Sequence, residues 1–228
     1  MLPEWILDCE REAFLWLNGG HTPFWDSFIW LYSGKVVWIP AALWILFTLC
    51  YRKAWKESLL ILLFLTLVIA CCDQFTSSFC KPFFARLRPT HHPDFCEQVQ
   101  IIGNYRGGRY GFISGHAANA FGFALFTLLL FRNRLYTTVI LLWGLLMAYT
   151  RIYMGVHFIS DILPGALAGS LFGFAGYRLY VRVRRKTAKP ADEPPVYTPS
   201  QIRTIVYGLG LTVIYMLVYA GIKASFFF

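Results

Sequence analysis

His157 and Asp161 stand four residues apart in a chain that is otherwise mostly apolar. On a helix that spacing stacks both side chains on one face, where a carboxylate can hold one imidazole nitrogen. An imidazole held in this way has a fixed tautomer and one free nitrogen, the requirement for a nucleophile or a general base. Arg151, six residues before His157, adds a planar, permanently charged fork suited to an oxyanion. Alone, such a pair is more often a surface ion pair, so the chemistry depends on whether other segments bring matching groups. Two do. Lys81-Pro82-Phe83-Phe84-Ala85-Arg86-Leu87-Arg88-Pro89 carries three cations just outside an apolar run, where the ordinary role is to meet lipid headgroups. Ile113-Ser114-Gly115-His116-Ala117-Ala118-Asn119-Ala120 opens another apolar run. A helix start there offers free amides and the positive end of a dipole; Ser114 can cap it, and Gly115 lets an anion approach the backbone.

These groups need elements to position them, and the composition says which kind. The chain has 228 residues, 57% hydrophobic, 18% aromatic and 14% charged. Several apolar runs reach about 17 to 25 residues, enough to cross a bilayer. The expectation is one all-α, polytopic membrane domain over residues 1–228, with six transmembrane helices and an N-terminal interfacial helix. The net charge of +9 reads as cytoplasmic loop charge plus an anion site rather than as a nucleic-acid surface. Residues 1–34, aromatic but interrupted by Glu4, Asp8, Glu10 and Arg11, read as a surface-lying segment and not as a secretory signal.

The spans are expected at about 35–51, 58–79, 114–131, 135–150, 161–181 and 203–224, with Pro40 a candidate kink in the first. Residues 80–113 form a polar loop, and 187–201 a flexible Pro-rich linker. Arg52/Lys53/Lys56, Arg132/Arg134 and the run from Arg178 to Lys189 fall on one side, which the positive-inside rule makes cytoplasmic. The three chemical segments then share the outer face. Cys80 and Cys96 flank the polar loop and are a candidate disulfide if that loop meets an oxidising compartment. No spacing resembles a zinc site, and the adjacent His91 and His92 are a poor ligand set.

Together the three segments resemble the type 2 phosphatidic acid phosphatase family, whose signature is K-x6-R-P, then P-S-G-H, then S-R-x5-H-x3-D. Lys81, Arg88 and Pro89 fit the first part, with the required spacing. Ser114, Gly115 and His116 fit the second, with Ile113 where proline is usual; Arg151, His157 and Asp161 fit the third, with Thr150 where serine is usual. The resemblance implies that His157 attacks phosphorus to give a phospho-histidine, that Asp161 orients it, and that His116 protonates the leaving oxygen and then activates water. Lys81, Arg88, Ser114, Gly115 and Arg151 would bind the phosphoryl oxygens, without metal or other cofactor.

Arg86, Arg106, Arg109 and Asn119 are further candidates for headgroup contacts, and Asp73 for a structural partner of a nearby cation. The implied substrate is a phosphorylated membrane lipid. Undecaprenyl diphosphate is favoured, because a diphosphate would use the extra arginines of the loop, and lipid A follows closely. The implied location is a bacterial inner membrane, with the site at the periplasmic or outer face. Two other readings stay open: a phosphotransferase of the same fold, and a non-catalytic lipid transporter.

Overall fold

A computed structural model describes residues 4–187 and 197–226, with side chains from residue 10 to 186 in the first stretch. The described residues are helical throughout, apart from turns and the loop after residue 84, where Leu87 and Tyr110 form an isolated antiparallel bridge. We number the helices α1 Glu4–Asn18, α2 Pro23–Ser33, α3 Ile39–Cys50, α4 Trp55–Gln74, α5 Lys81–Phe84, α6 Gly115–Phe131, α7 Arg134–Tyr153, α8 Ile159–Thr187 and α9 Pro199–Ser225. A π-helical stretch, Phe75–Cys80, joins α4 to α5 without a break.

Local sequence sets the ends. Thr22 caps α2 by accepting from the Trp25 amide, with Pro23 in the first turn. Thr198 and Gln201 form a reciprocal capping box that starts α9. Asn133 caps α7 immediately after the left-handed Arg132 that ends α6. The two ends of the expected 187–201 linker fall in described residues and its middle does not. α8 continues to Thr187, Tyr197 is buried with its hydroxyl directed at the Leu49 carbonyl, and only 188–196 lie outside the described residues.

Trp55–Phe84, α7, Ile159–Lys186 and α9 are long and apolar enough to cross a bilayer. α2 and the segment Val36–Cys50 pass the same test together as a pair bent by 67°. The bend falls at Gly34-Lys35 and not at Pro40, which sits in the first turn of α3 where a missing N–H costs nothing. Residues 23–33 also leave the expected interfacial segment: α2 packs on α9 and α7 and buries Ser27, Phe28, Ile29 and Tyr32. α1 packs on α7 and α8 and buries Phe14 and Asn18. The Asn18 amide donates to the carbonyls of Gln100, Ile152 and Tyr153, which ties α1 to the loop and to the end of α7.

α6 and α8 form the closest pair in the bundle. A Cβ on Gly165, Gly169 or Gly173 would overlap the backbone oxygen of Ser114, Ala118 or Gly122 respectively. Lipid supplies little hydrophobic drive between helices, so small residues at every fourth position let the two backbones touch and gain dispersion contacts instead. The same contact fixes the register of the two helix starts, where the chemical residues lie. The Ser114 amide donates to the Asp161 carbonyl at 2.9 Å.

Candidate active site

Four helix ends meet at one face: the end of the α4–α5 unit, the start of α6, the end of α7 and the start of α8. Gly155, at φ +72°, makes the turn from α7 to α8. A side chain there would meet both the strained backbone and the Gln100 carbonyl. The turn delivers His157, 2% exposed, and Asp161, fully buried. His157 Nδ1 lies 3.3 Å from Asp161 Oδ2, and the Phe158 amide donates to the same oxygen at 3.0 Å.

Arg88 reaches the ring from the other side. Its Nε donates to the Tyr110 carbonyl, and Nη1 donates to the Val156 carbonyl at 3.1 Å while lying 3.4 Å from His157 Nε2. An arginine only donates. Nε2 is therefore the acceptor and the ring proton sits on Nδ1, toward the carboxylate. Burial pushes the imidazole down to about 4; the Asp161 hydrogen bond opposes this, and the Arg88 and Arg151 charges reinforce it. At neutral pH His157 is an uncharged ring with a lone pair on Nε2.

A cleft of about 450 Å³ opens beside that nitrogen. Lys81, Arg88, Gly115, His116, Arg151, His157 and Asn119 all line it. Arg151 is 2% exposed; Nε donates to Thr150 Oγ1, and Nη2 lies 3.0 Å from Met154 Sδ. Thr150 thus supplies the hydroxyl for which serine is usual, and Ile113 is simply packed, at 3% exposure. Gly115 leaves room for Thr76 Oγ1 and Lys81 Nζ, which a Cβ would approach to 3.0 and 4.0 Å.

Some expectations need correction. Ser114 is fully buried outside the cleft wall, and its hydroxyl accepts from the Ala117 amide as a helix cap. Arg86 does not face the cleft: its guanidinium grips Asp161 Oδ1 and Glu10 Oε2 and stacks on Phe158. Arg106 donates to the Thr90 carbonyl and Arg109 lies over the Tyr110 ring, and neither lines the cleft. Cys80 and Cys96 are both free thiols; Cys80 is buried at the end of the π-helical stretch, whereas Cys96 sits in the separate 3-10 turn Cys96–Gln98. Among the described residues no three His, Cys, Asp or Glu side chains gather as a metal-ligand group.

The cleft also contains residues that the motifs do not reach. Lys35 enters from the α2–α3 bend, Tyr105 from the loop, and Asp73 from α4 beside Lys81. Lys35 reads in the sequence as an ordinary span flank; it reaches the cleft because the chain bends at Gly34-Lys35, and no motif marks it.

Fold and cleft together define a membrane enzyme built for phosphoryl chemistry. The chain belongs to the PAP2 superfamily, whose profile matches residues 66–185, more than half of its length. It is 46% identical over 203 residues to a lipid A 4'-phosphatase of Porphyromonas gingivalis, covering 88% of this chain and 86% of the relative. It is 38% identical over 194 residues to a lipid A 4'-phosphatase of Bacteroides thetaiotaomicron, covering 85% of each. Among solved structures it resembles LpxE of Aquifex aeolicus, with a TM-score of 0.56 and 26% identity over 73% of this chain and 93% of that one. A PAP2-type phosphatidylglycerolphosphate phosphatase of Bacillus subtilis shares the fold, with a TM-score of 0.60 at 17% identity, covering 82% of this chain and 90% of that one. The chain is a membrane phosphatase of the PAP2 type.

Proposed function

We propose that this enzyme hydrolyses a phosphate monoester on the headgroup of lipid A, through a phospho-histidine formed on His157. The observation that carries the mechanism is the held ring. Its proton is on the Asp161 side, and its lone pair points toward a cleft lined by Lys35, Lys81, Arg88 and Arg151. In the first step His157 Nε2 bonds to phosphorus as the phosphorus–oxygen bond to the sugar breaks. His116 gives the leaving oxygen its proton, and the imidazolium is stabilised by Asp161. In the second step His116 takes a proton from water, which attacks phosphorus and releases His157. The four cations and the Gly115 amide at the α6 start neutralise the equatorial oxygens throughout, the main source of rate in phosphoryl transfer. Four fixed positive charges can serve without a metal ion, so activity in the presence of EDTA is part of the proposal.

The choice of lipid A rests on the two relatives that match over most of this chain and carry that activity in their names. The sequence alone favours undecaprenyl diphosphate because of the loop arginines, but Arg86, Arg106 and Arg109 do not line the cleft, which removes that reason. We further propose six crossings, with the 17-residue α6 as a short span held between α4, α7 and α8. The basic helix ends at Arg52–Lys56, Arg132–Arg134 and Arg178–Lys186 face the cytoplasm, and the cleft faces the outer side of a bacterial inner membrane.

The test is phosphate release in detergent from lipid A, undecaprenyl diphosphate, phosphatidylglycerophosphate and phosphatidate. The expected result is the highest kcat/KM on lipid A. Preference for undecaprenyl diphosphate would overturn the substrate assignment and leave the mechanism standing.

A further inference from the structure

We propose that one acyl chain of the substrate lies in an apolar pocket between α3, α4, α6, α7 and Leu209 of α9, directly behind the catalytic cleft, and that Trp143 and Asn119 read its linkage to the headgroup. The pocket has a volume of about 290 Å³. Trp38, Phe123 and Trp143 line both this pocket and the cleft. Their rings are in contact, with centroids 5.8 Å apart for Trp38–Trp143 and 5.9 Å for Phe123–Trp143. They form a shared wall with cations on one side and hydrocarbon on the other. On the far side the pocket is lined by Ile45, Leu62 and Leu65, and its rim, Ala42 and Leu46, is exposed between α3 and α4 on the surface that meets lipid. A larger apolar groove of about 910 Å³ between α3 and α9 shares no lining residue with the cleft. Size alone would select that groove; continuity with the phosphate site selects the smaller one.

A second observation comes from two polar atoms at the junction. Trp143 Nε1 and Asn119 Oδ1 are buried and have no hydrogen-bond partner, and both residues line the cleft. Asn119 lies one helical turn before Phe123, so it shares that face of α6. An unpaired buried N–H and an unpaired buried carbonyl oxygen each cost free energy until a ligand supplies the missing partner. A carbonyl-linked acyl chain meets both needs: its C=O accepts from Trp143, and an amide N–H or sugar hydroxyl beside it donates to Asn119. A polyprenyl chain has neither group. The inference depends on the lipid-phosphatase reading only for the identity of the headgroup.

The test uses the full chain in nanodiscs and a long-chain phosphatidate with a diazirine at the end of one acyl chain. Photolabelling should fall on the α3 and α4 peptides that carry Leu46 and Leu62, should be displaced by excess unlabelled lipid, and should drop at least about tenfold in Ala42→Phe, which fills the pocket from its exposed rim. If Ala42→Phe does not elute as a monodisperse protein, Leu46→Trp serves the same purpose. Labelling on the α9 residues Tyr207 and Leu211, or labelling indifferent to both variants, would overturn the proposal. The linkage is tested by comparing acyl phosphatidate with its ether-linked analogue, which lacks the carbonyl. Wild type should favour the acyl lipid and Trp143→Phe should not; equal binding of the two by wild type would remove Trp143 from this role. Labelling requires no turnover, so a protein inactive on lipid A would contradict the proposed function without touching the pocket.

Discussion

Arg86 Nη1 lies 2.8 Å from Asp161 Oδ1, on the side of the carboxylate opposite His157. The other guanidinium nitrogen, Nη2, holds Glu10 of α1 at 2.9 Å, and Glu10 in turn accepts from the Ser160 amide. The carboxylate is thus clamped with one oxygen on Arg86 and the other on the ring. Arg86→Gln should lower kcat on the order of tenfold to a hundredfold with little change in KM, because the ring loses its aim and not its substrate contacts. Glu10→Gln should show a weaker form of the same pattern. A rise in KM at constant kcat would restore Arg86 as a headgroup contact.

His157 titrates low because it is buried, and the sign of its effect on stability follows. Its folded-state value of about 4 lies below the ordinary value of about 6.5 for an unfolded chain. The stabilisation is fully present above about 6.5 and is lost as the pH falls toward 4, where the unfolded ring takes up a proton that the folded ring refuses. Histidine-resolved NMR in detergent should show a ring that titrates near 4 and disappears in His157→Ala. A ring at 157 that titrates near 6.5 would contradict the buried, neutral nucleophile.

The α6–α8 seam should be intolerant of bulk. Gly169→Ala places a Cβ onto the Ala118 carbonyl, and the helices must separate by a fraction of an ångström to admit it. The expected cost is about 1–3 kcal/mol of stability, read as a lower thermal midpoint in detergent. Activity should fall as well, since the same seam sets the distance from His116 to His157. An unchanged midpoint would show that the seam is loose.

The three motifs made most of the cleft legible before any coordinates: Lys81, Arg88, Gly115, His116, Arg151 and His157 all reach it. What stayed hidden depends on reach and geometry and not on spacing. Arg86 and Arg88 flank Leu87, which is bridged to Tyr110 in extended backbone, so both leave the same side of the chain and both reach the His157–Asp161 pair. That Arg88 stops at the ring while Arg86 passes to the far oxygen of the carboxylate is a matter of side-chain reach that spacing does not show. Ser114 was legible as a cap and as a phosphate ligand alike, and only the geometry of α6 separates the two. Helix positions came out to within a few residues for the long apolar runs. The α2–α3 bend did not, since a proline is the louder signal while the chain actually turns at Gly34.

His116 should be separable from His157 by what accumulates. With His116→Ala, a substrate whose leaving group needs no proton should still phosphorylate the enzyme, and the loss of base catalysis should then slow hydrolysis by about 10²- to 10⁴-fold. Burst kinetics with such a substrate give the readout. Absence of a burst in this variant would place His116 in the first step only, or outside the chemistry.

The most direct measurement is to trap the phospho-enzyme. His116→Ala, and a His116→Ala, His157→Ala double variant, are mixed in EDTA with a radiolabelled phosphate ester whose leaving group needs no proton and quenched in alkali, where phospho-histidine survives. The expected result is label on the peptide that carries His157 in the first protein and none in the second, together with a loss of phosphate release on the order of 10⁴-fold or more for His157→Ala alone. Label that persists without His157, or undiminished phosphate release from His157→Ala, would contradict the mechanism.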